Sequence, residues 1–332
     1  MTPGQLPPLS SAFIEEARAF LAGRIRRTPL EASPGLSSVL GAPVRLKLES
    51  LQLTGSFKIR GALFRLSLLT DSEKRAGIAT CSAGNHGRGI AYAARSLGIV
   101  PRIYVPSSVD ESKLRGMTDL GAEVVRSRWP GYDDTEQWAM EEAARSGKVW
   151  ISAFDDEAIM AGNGGTLALE ILEDAPDTRG FVLPVGGGGM SAGLAFTVKE
   201  RFPDAVIVGC NHEKSPALAL SRERGEAVTR LPAIETTAGG IEGGIGAKPF
   251  EVLRTRVDRV ALVSEKEILD AVRWTFANHQ YAIEPSSAAA VAACLTGKAG
   301  RFDRPVAVVL SGRNVSLSTF SRILGAQPER AR

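Results

Sequence analysis

Cysteine and histidine are scarce in this chain, which carries three of each in 332 residues. Cys81, Cys210 and Cys294 stand far apart in no metal-like spacing. That pattern excludes a disulfide-stapled scaffold and argues against a Cys/His zinc site. A sparse, odd count fits buried thiols in a reducing cytosol, and no basic segment runs into an apolar one at the N-terminus. A cytoplasmic protein without a signal peptide is therefore expected. A large excess of one charge is also missing. Forty basic and 37 acidic residues leave a net charge of +3, with both signs interspersed. Nucleic acid has little electrostatic hold on such a surface. Long hydrophobic runs are missing too. The uncharged stretch Phe181–Val198 contains one proline and five glycines, so it cannot be a membrane helix. No internal repeat or low-complexity linker interrupts the chain.

What is present is the composition of a soluble globular protein, 44% apolar and 23% charged. At roughly 150 residues per domain the length suits two domains, or one with a subdomain. Short apolar runs alternate with helical patterns. Strands are expected at Val44–Leu48, Gly77–Cys81, Arg102–Val105, Glu123–Ser127, Val149–Ser152, Phe181–Val185, Ala205–Cys210, Val260–Val263 and Pro305–Leu310. Several are apolar on consecutive positions, as strands buried on both faces should be. Tyr132–Ser146 and Glu265–Asn278 read as amphipathic helices. Thr70 with Glu73 and Ser264 with Glu267 have capping-box spacing, and Ser215-Pro216 offers an N-cap followed by proline. The alternation is that of an α/β protein with mostly parallel sheets. Glu235–Pro249 reads as a long functional loop, and Gln327–Arg332 as a frayed tail.

Four motifs carry possible chemistry. Gly186-Gly187-Gly188-Gly189-Met190 lies between a strand and a helical pattern. Its amides could cradle a phosphate, or it could be a tight turn that packs a helix on a sheet. No Gly-Lys-Ser/Thr follows, so it is not a nucleotide P-loop. Gly187, Gly189 and Ala192 share the spacing of a dinucleotide fingerprint. That reading asks for an acid at the end of the next strand, where Cys210-Asn211 stands, with Glu213 two residues late. Thr54–Ala62 holds Lys58 between Phe57 and Ile59, either as a solvated helix-starting lysine or as a desolvated amine nucleophile. Ser82-Ala83-Gly84-Asn85-His86-Gly87 precedes a helix expected at Gly89–Leu97. It suits a carboxylate, with His86 as a base or as a backbone donor and cap. Ser311-Gly312-Arg313-Asn314 follows the last strand. In open α/β sheets ligands sit beyond the carboxyl ends of strands.

In this order and spacing, the four motifs resemble those of the fold-type II pyridoxal-phosphate enzymes, closest to the threonine/serine dehydratase and serine racemase branch. The resemblance runs from Arg27-Thr28-Pro29-Leu30 to Ser311–Asn314. It implies a two-lobed architecture like that of the tryptophan synthase β subunit. One lobe would be 77–151; the other would combine 1–76 and 152–332. It implies pyridoxal 5'-phosphate held as a Schiff base on Lys58, with Phe57 against its ring and Asn85 at its 3'-oxygen. Gly186, Gly187, Gly188, Gly189 and Met190 would bind the phosphate. Ser311 would face the pyridine nitrogen, Gly240 would cover the other face, and Glu284 would lie near the ring edge. Ser82, Asn85 and His86 would hold the substrate carboxylate.

The implied reaction is β-elimination from a hydroxy-amino acid such as threonine or serine, giving a 2-keto acid and ammonia. In it the freed Lys58 removes the Cα proton and the cofactor phosphate protonates the leaving hydroxyl. Racemisation, elimination from a specialised substrate such as hydroxyaspartate or a product of hydroxyectoine breakdown, and an unrelated nicotinamide dehydrogenase are the alternatives. Racemase relatives carry a serine where this chain has Ala83, which favours elimination. Other departures are Ala238-Gly239-Gly240 for Ala-Asp-Gly, Gly162-Asn163-Gly164-Gly165-Thr166 for Gly-Gln-Gly-Thr, and Arg313 for a glycine. Asn211 and Ala217 stand where relatives carry cation ligands, so no metal is expected. The partners implied are a small amino acid and a second copy of the chain in a homodimer, with neither nucleic acid nor membrane.

Overall fold

The computed structural model describes residues 6–82 and 84–325. Ala83 and the tail Gln327–Arg332 lie outside the described residues. Among the described residues, ten strands form two sheets. They are β1 (Leu30–Ala32), β2 (Val44–Lys47), β3 (Ile78–Cys81), β4 (Arg102–Val105), β5 (Glu123–Arg126), β6 (Val149–Trp150), β7 (Gly180–Pro184), β8 (Val206–His212), β9 (Arg259–Val263) and β10 (Val306–Val309). Six strands run in the order β1-β2-β10-β7-β8-β9, and four in the order β5-β4-β3-β6. All neighbours are parallel except β1 on β2.

The consecutive apolar residues of the larger sheet divide between its two faces. Val182, Val208, Val306 and Val308 join one core cluster. Phe181, Leu183, Ile207, Ala307 and Val309 join another. A period of two along each strand sends alternate side chains into opposite layers of helices, so the central strands β10, β7 and β8 keep no solvated face. Both capping boxes form, Thr70 with Glu73 and Ser264 with Glu267.

Several expectations shift. The helix after β3 spans Asn85–Arg95, starting four residues before Gly89. Pro216 rather than Ser215 occupies the N-cap of the helix Ala217–Arg224. The Ser215 hydroxyl instead accepts from Gly243 N at 3.0 Å and ties down the long loop. That loop ends early, because a helix begins at Ala247. The lengthened Gly162–Thr166 segment is absorbed as a π-helical turn over Ala161–Gly165, a device for inserting one residue into a helix. There Asn163 Oδ1 accepts from Gly61 N at 2.8 Å.

The helix Lys58–Ser67 bridges the two sheets. Ala62 and Leu66 pack with Ile78, Ile90 and Ile151 of the smaller sheet's cluster. Arg60, fully buried, anchors the helix on the other side. Its guanidinium donates to Glu49 at 2.7 and 2.8 Å and to Glu170 at 2.7 and 2.9 Å. Lys47 Nζ completes the cluster on Glu170 at 2.9 Å. Lys58 is the first residue of this doubly held helix, so its position is set by both layers.

Candidate active site

Lys58 opens its helix without a side-chain cap, and its Nζ donates to the Ala153 carbonyl at 2.7 Å. Burial pushes the amine down to about 8, against the opposing pull of the Glu136 and Glu284 carboxyls. A lysine so placed is largely deprotonated at mildly alkaline pH and available as a nucleophile. In cofactor-free protein, Schiff-base formation with a simple aldehyde should therefore rise with a midpoint near pH 8, well below that of a solvated lysine. A midpoint above about 10, the range of a solvated lysine, would contradict the burial argument. The folded amine is less basic than the unfolded one, so the unfolded chain binds more protons between their two pKa values. Stability of the cofactor-free protein should accordingly rise with pH across that window.

The exit of β10 is zipped onto this segment. Phe57 N donates to Ser311 O at 3.1 Å, and Ser56 and Gly312 form an antiparallel bridge. Ser311 thereby stands beside Phe57 and Lys58. At the end of β7 the chain turns through the four glycines into the helix Gly189–Arg201. Gly188 has φ +88°, a left-handed conformation that favours glycine. A Cβ on Gly187 would run into the Phe154 ring, and one on Gly189 would stand 2.9 Å from Phe154 backbone atoms. Among the described residues, the N–H groups of Gly186, Gly187 and Gly188 donate to no other protein group. The first N–H groups of the following helix have no intrahelical acceptor either. These convergent donors at a helix N-terminus fit a phosphate.

Ser82 follows β3. Its Oγ accepts from Gly84 N at 3.0 Å and Gly87 N at 2.7 Å, which uses both lone pairs. Only its O–H remains to offer, so it suits an acceptor such as a carboxylate. Asn85 Nδ2 donates to Glu284 Oε1 at 2.5 Å, and its Oδ1 accepts from Asn314 Nδ2 at 2.6 Å. His86 is buried, with neither ring nitrogen hydrogen-bonded, and burial holds it well below the usual histidine range, followed by the nearby Lys58 charge. It is neutral, and its environment gives no support to a protonated acid. Gly240 N donates to Ser286 Oγ at 2.8 Å, which brings the long loop over the pocket.

One cavity of about 130 Å³ is lined by every residue singled out from the sequence: Phe57, Lys58, Ser82, Asn85, His86, Gly186, Gly187, Gly188, Gly189, Met190, Gly240, Glu284 and Ser311. Its wall also holds Gly239, the departure from the usual aspartate, together with Lys113, Tyr132, Phe154 and Ser286, which sequence reasoning missed. A second cavity of about 250 Å³ shares Lys113, Tyr132, Gly239, Glu242, Glu284 and Ser286 with it. At Gly239 a Cβ would meet nothing within 4 Å, so the glycine found in place of the usual aspartate leaves this wall open. Asn211 is structural. Its amide donates to Val185 O at 2.8 Å, and its Oδ1 accepts from Leu218 N at 3.1 Å.

A phosphate cradle, a desolvated amine and an aromatic wall in one cavity define a cofactor-dependent enzyme of the α/β class. The description of pyridoxal-phosphate dependent enzymes matches residues 21–312, and the chain belongs to that family. It is 36% identical over 320 residues to the catabolic L-threonine dehydratase TdcB of Escherichia coli (strain K12), covering 96% of this chain and 97% of that one. With the L-threonine ammonia-lyase of Thermotoga maritima the identity is 36%, over 94% of this chain and 77% of the relative. Among solved structures, the T.th. threonine deaminase superimposes with a TM-score of 0.83 and 36% identity, over 94% of this chain and 99% of that one. Maize serine racemase gives 0.88 and 28%, over 95% and 97%. The dinucleotide reading of Gly187, Gly189 and Ala192 falls with this assignment. The structure extends β8 to His212, which puts Glu213 directly after the strand, but Glu213 is exposed and absent from the cavity wall. Among the described residues no helix is long and apolar enough to cross a membrane.

Proposed function

We propose that the chain catalyses β-elimination from a hydroxy-amino acid such as threonine or serine, releasing a 2-keto acid and ammonia. The observation that carries this reading is the desolvated Lys58 amine facing the glycine cradle in one cavity, in a chain 36% identical to proteins named threonine dehydratase. When bound, pyridoxal phosphate supplies an electron sink for the pair left as a bond to Cα breaks. Gly186 to Met190 would hold its phosphate, Phe57 and Gly240 would flank its ring, and Ser311 would meet its nitrogen. Asn85 would offer the 3'-oxygen the N–H that Glu284 leaves free. Lys58, neutral, takes the proton from Cα.

Ser82, Asn85 and His86, at the start of the helix Asn85–Arg95, hold the substrate carboxylate. Ser82→Ala removes the one free donor of that hydroxyl. It should raise KM about tenfold with cofactor occupancy unchanged, a loss of the size of one hydrogen bond to a charge. An unchanged KM would remove Ser82 from the carboxylate site.

Racemisation is the second reading, favoured by the likeness to maize serine racemase. Ala83, at the position where racemases carry a serine, has no exchangeable side-chain proton, which supports one-sided proton chemistry by Lys58. Incubation with L-serine and L-threonine, with keto acid, ammonia and the enantiomers measured together, separates the two. Equimolar keto acid and ammonia with little inversion is expected. Fast inversion with negligible keto acid would establish the racemase. We extend the proposal to a cytoplasmic homodimer whose lobes are 77–151 and the remainder, with the cofactor between them. Sedimentation tests the dimer.

A further inference from the structure

The departing hydroxyl needs a proton, and the wall of this cavity holds a protein group placed to give one. We propose that Tyr132, backed by Glu136, is the acid that protonates the leaving oxygen in this chain, in place of the cofactor phosphate. The inference rests on the elimination reading above.

Tyr132 begins the helix Tyr132–Arg145, and Glu136 lies one turn on. Residues four apart share a helix face. The Tyr132 hydroxyl donates to Glu136 Oε1 at 2.9 Å. Tyr132 lines both cavities and so stands at their junction. Glu136 lines neither, and therefore meets the pocket through the phenol. The Tyr132 ring lies against Phe154, centroids 6.2 Å apart, and Phe154 packs on the cradle glycines. The dyad thus stands toward the cradle.

The charges around Glu136 keep its proton available. Burial pushes the carboxyl up to about 7, the Tyr132 hydrogen bond and Lys58 pull it down, and Asp133 and Asp155 push it further up. Burial, with Glu136, Cys81 and Asp133 around it, holds the Tyr132 phenol well above its usual range, so it stays protonated until it can hand its proton on. Of the other groups in the wall, His86 is neutral, Glu284 Oε1 is engaged by Asn85 and Ser82 has no proton source behind it. Glu242, pushed up by burial, and Lys113 are the rival acids that the Tyr132→Phe comparison separates from Tyr132.

In the elimination step Lys58 Nζ takes the proton from Cα, and the Cα–H pair forms the Cα–Cβ double bond. The Cβ–O bond breaks with its pair on oxygen. The Tyr132 hydroxyl turns from Glu136 to that oxygen and gives it its proton to complete a water molecule, and protonated Glu136 then donates its proton to the Tyr132 oxygen across the 2.9 Å contact. Solvent later reprotonates Glu136.

The test compares L-serine, whose hydroxide must be protonated, with β-chloro-L-alanine, whose chloride leaves without a proton. In Tyr132→Phe holoenzyme the ratio of the serine rate to the chloroalanine rate should fall about 100-fold, the scale of one general acid. Glu136→Gln should shift the same ratio in the same direction, and it serves as the test if Tyr132→Phe does not fold. The absorbance of the bound cofactor should be retained in both. In cofactor-free protein, carboxyl NMR should place the Glu136 midpoint near pH 7 and show it displaced by Tyr132→Phe. An unchanged ratio, or equal loss on both substrates with loss of bound cofactor, would overturn the assignment and make Tyr132 a structural or phosphate-holding residue. A native protein that eliminates from neither compound would instead refute the elimination reading itself.

Discussion

On the elimination reading, Lys58→Ala should lower turnover by at least about 1,000-fold, because it removes both the proposed covalent anchor and the proposed Cα base. The glycine cradle is untouched by this change, so the variant should still hold pyridoxal phosphate noncovalently. Retained cofactor with lost turnover separates Lys58 chemistry from folding. Among the described residues the resting amine makes one hydrogen bond, to the Ala153 carbonyl, so stability should change little. An amine supplied in solution should restore part of the rate. Turnover within about tenfold of the parent protein would exclude Lys58 as the base.

The second large effect is on stability. Arg60→Leu deletes the guanidinium that pairs with Glu49 and Glu170 and strands two carboxylates in the interior. Removing one partner of such a cluster costs about 3–5 kcal/mol. Thr28 Oγ1 on Glu49 at 2.5 Å and Lys47 Nζ on Glu170 at 2.9 Å remain, but they are fewer than the bonds removed. The pH dependence should change as well. Burial alone would raise Glu170, but Arg60 and Lys47 outweigh it and hold it below its ordinary value. In the parent protein that contribution is present above the unfolded pKa and is lost as pH falls through the folded one. In Arg60→Leu it shrinks, so the gap between the two proteins should narrow on acidification. Urea unfolding at neutral pH and again in mild acid measures both effects. A variant as stable as the parent at neutral pH would contradict the ionic anchoring of the Lys58 helix.

The larger sheet was legible because burial on both faces leaves consecutive valines and leucines in its strands. β1 was not. It is a three-residue edge strand, largely exposed, with no apolar run to mark it. The helix start at Asn85 was hidden by its own composition, since glycine and asparagine read as turn. Packing overrides that preference: a Cβ on Gly87 would strike Met117, and one on Gly89 would stand 3.2 Å from the Lys58 carbonyl. The four motifs named the cavity because each follows a strand or opens a helix at the same edge of the fold. Tyr132 and Glu136 escaped notice for the opposite reason. They sit on a helix that the sequence marks only as amphipathic, and tertiary packing alone brings Glu136 near Lys58.

Borohydride reduction of the cofactor-loaded protein, followed by digestion and peptide mapping, tests the role of Lys58 most directly. One pyridoxyl mark is expected, on the peptide bearing Lys58. A mark on any other lysine, or none on protein purified with the cofactor supplied, would contradict the assignment of Lys58 as the cofactor's anchor.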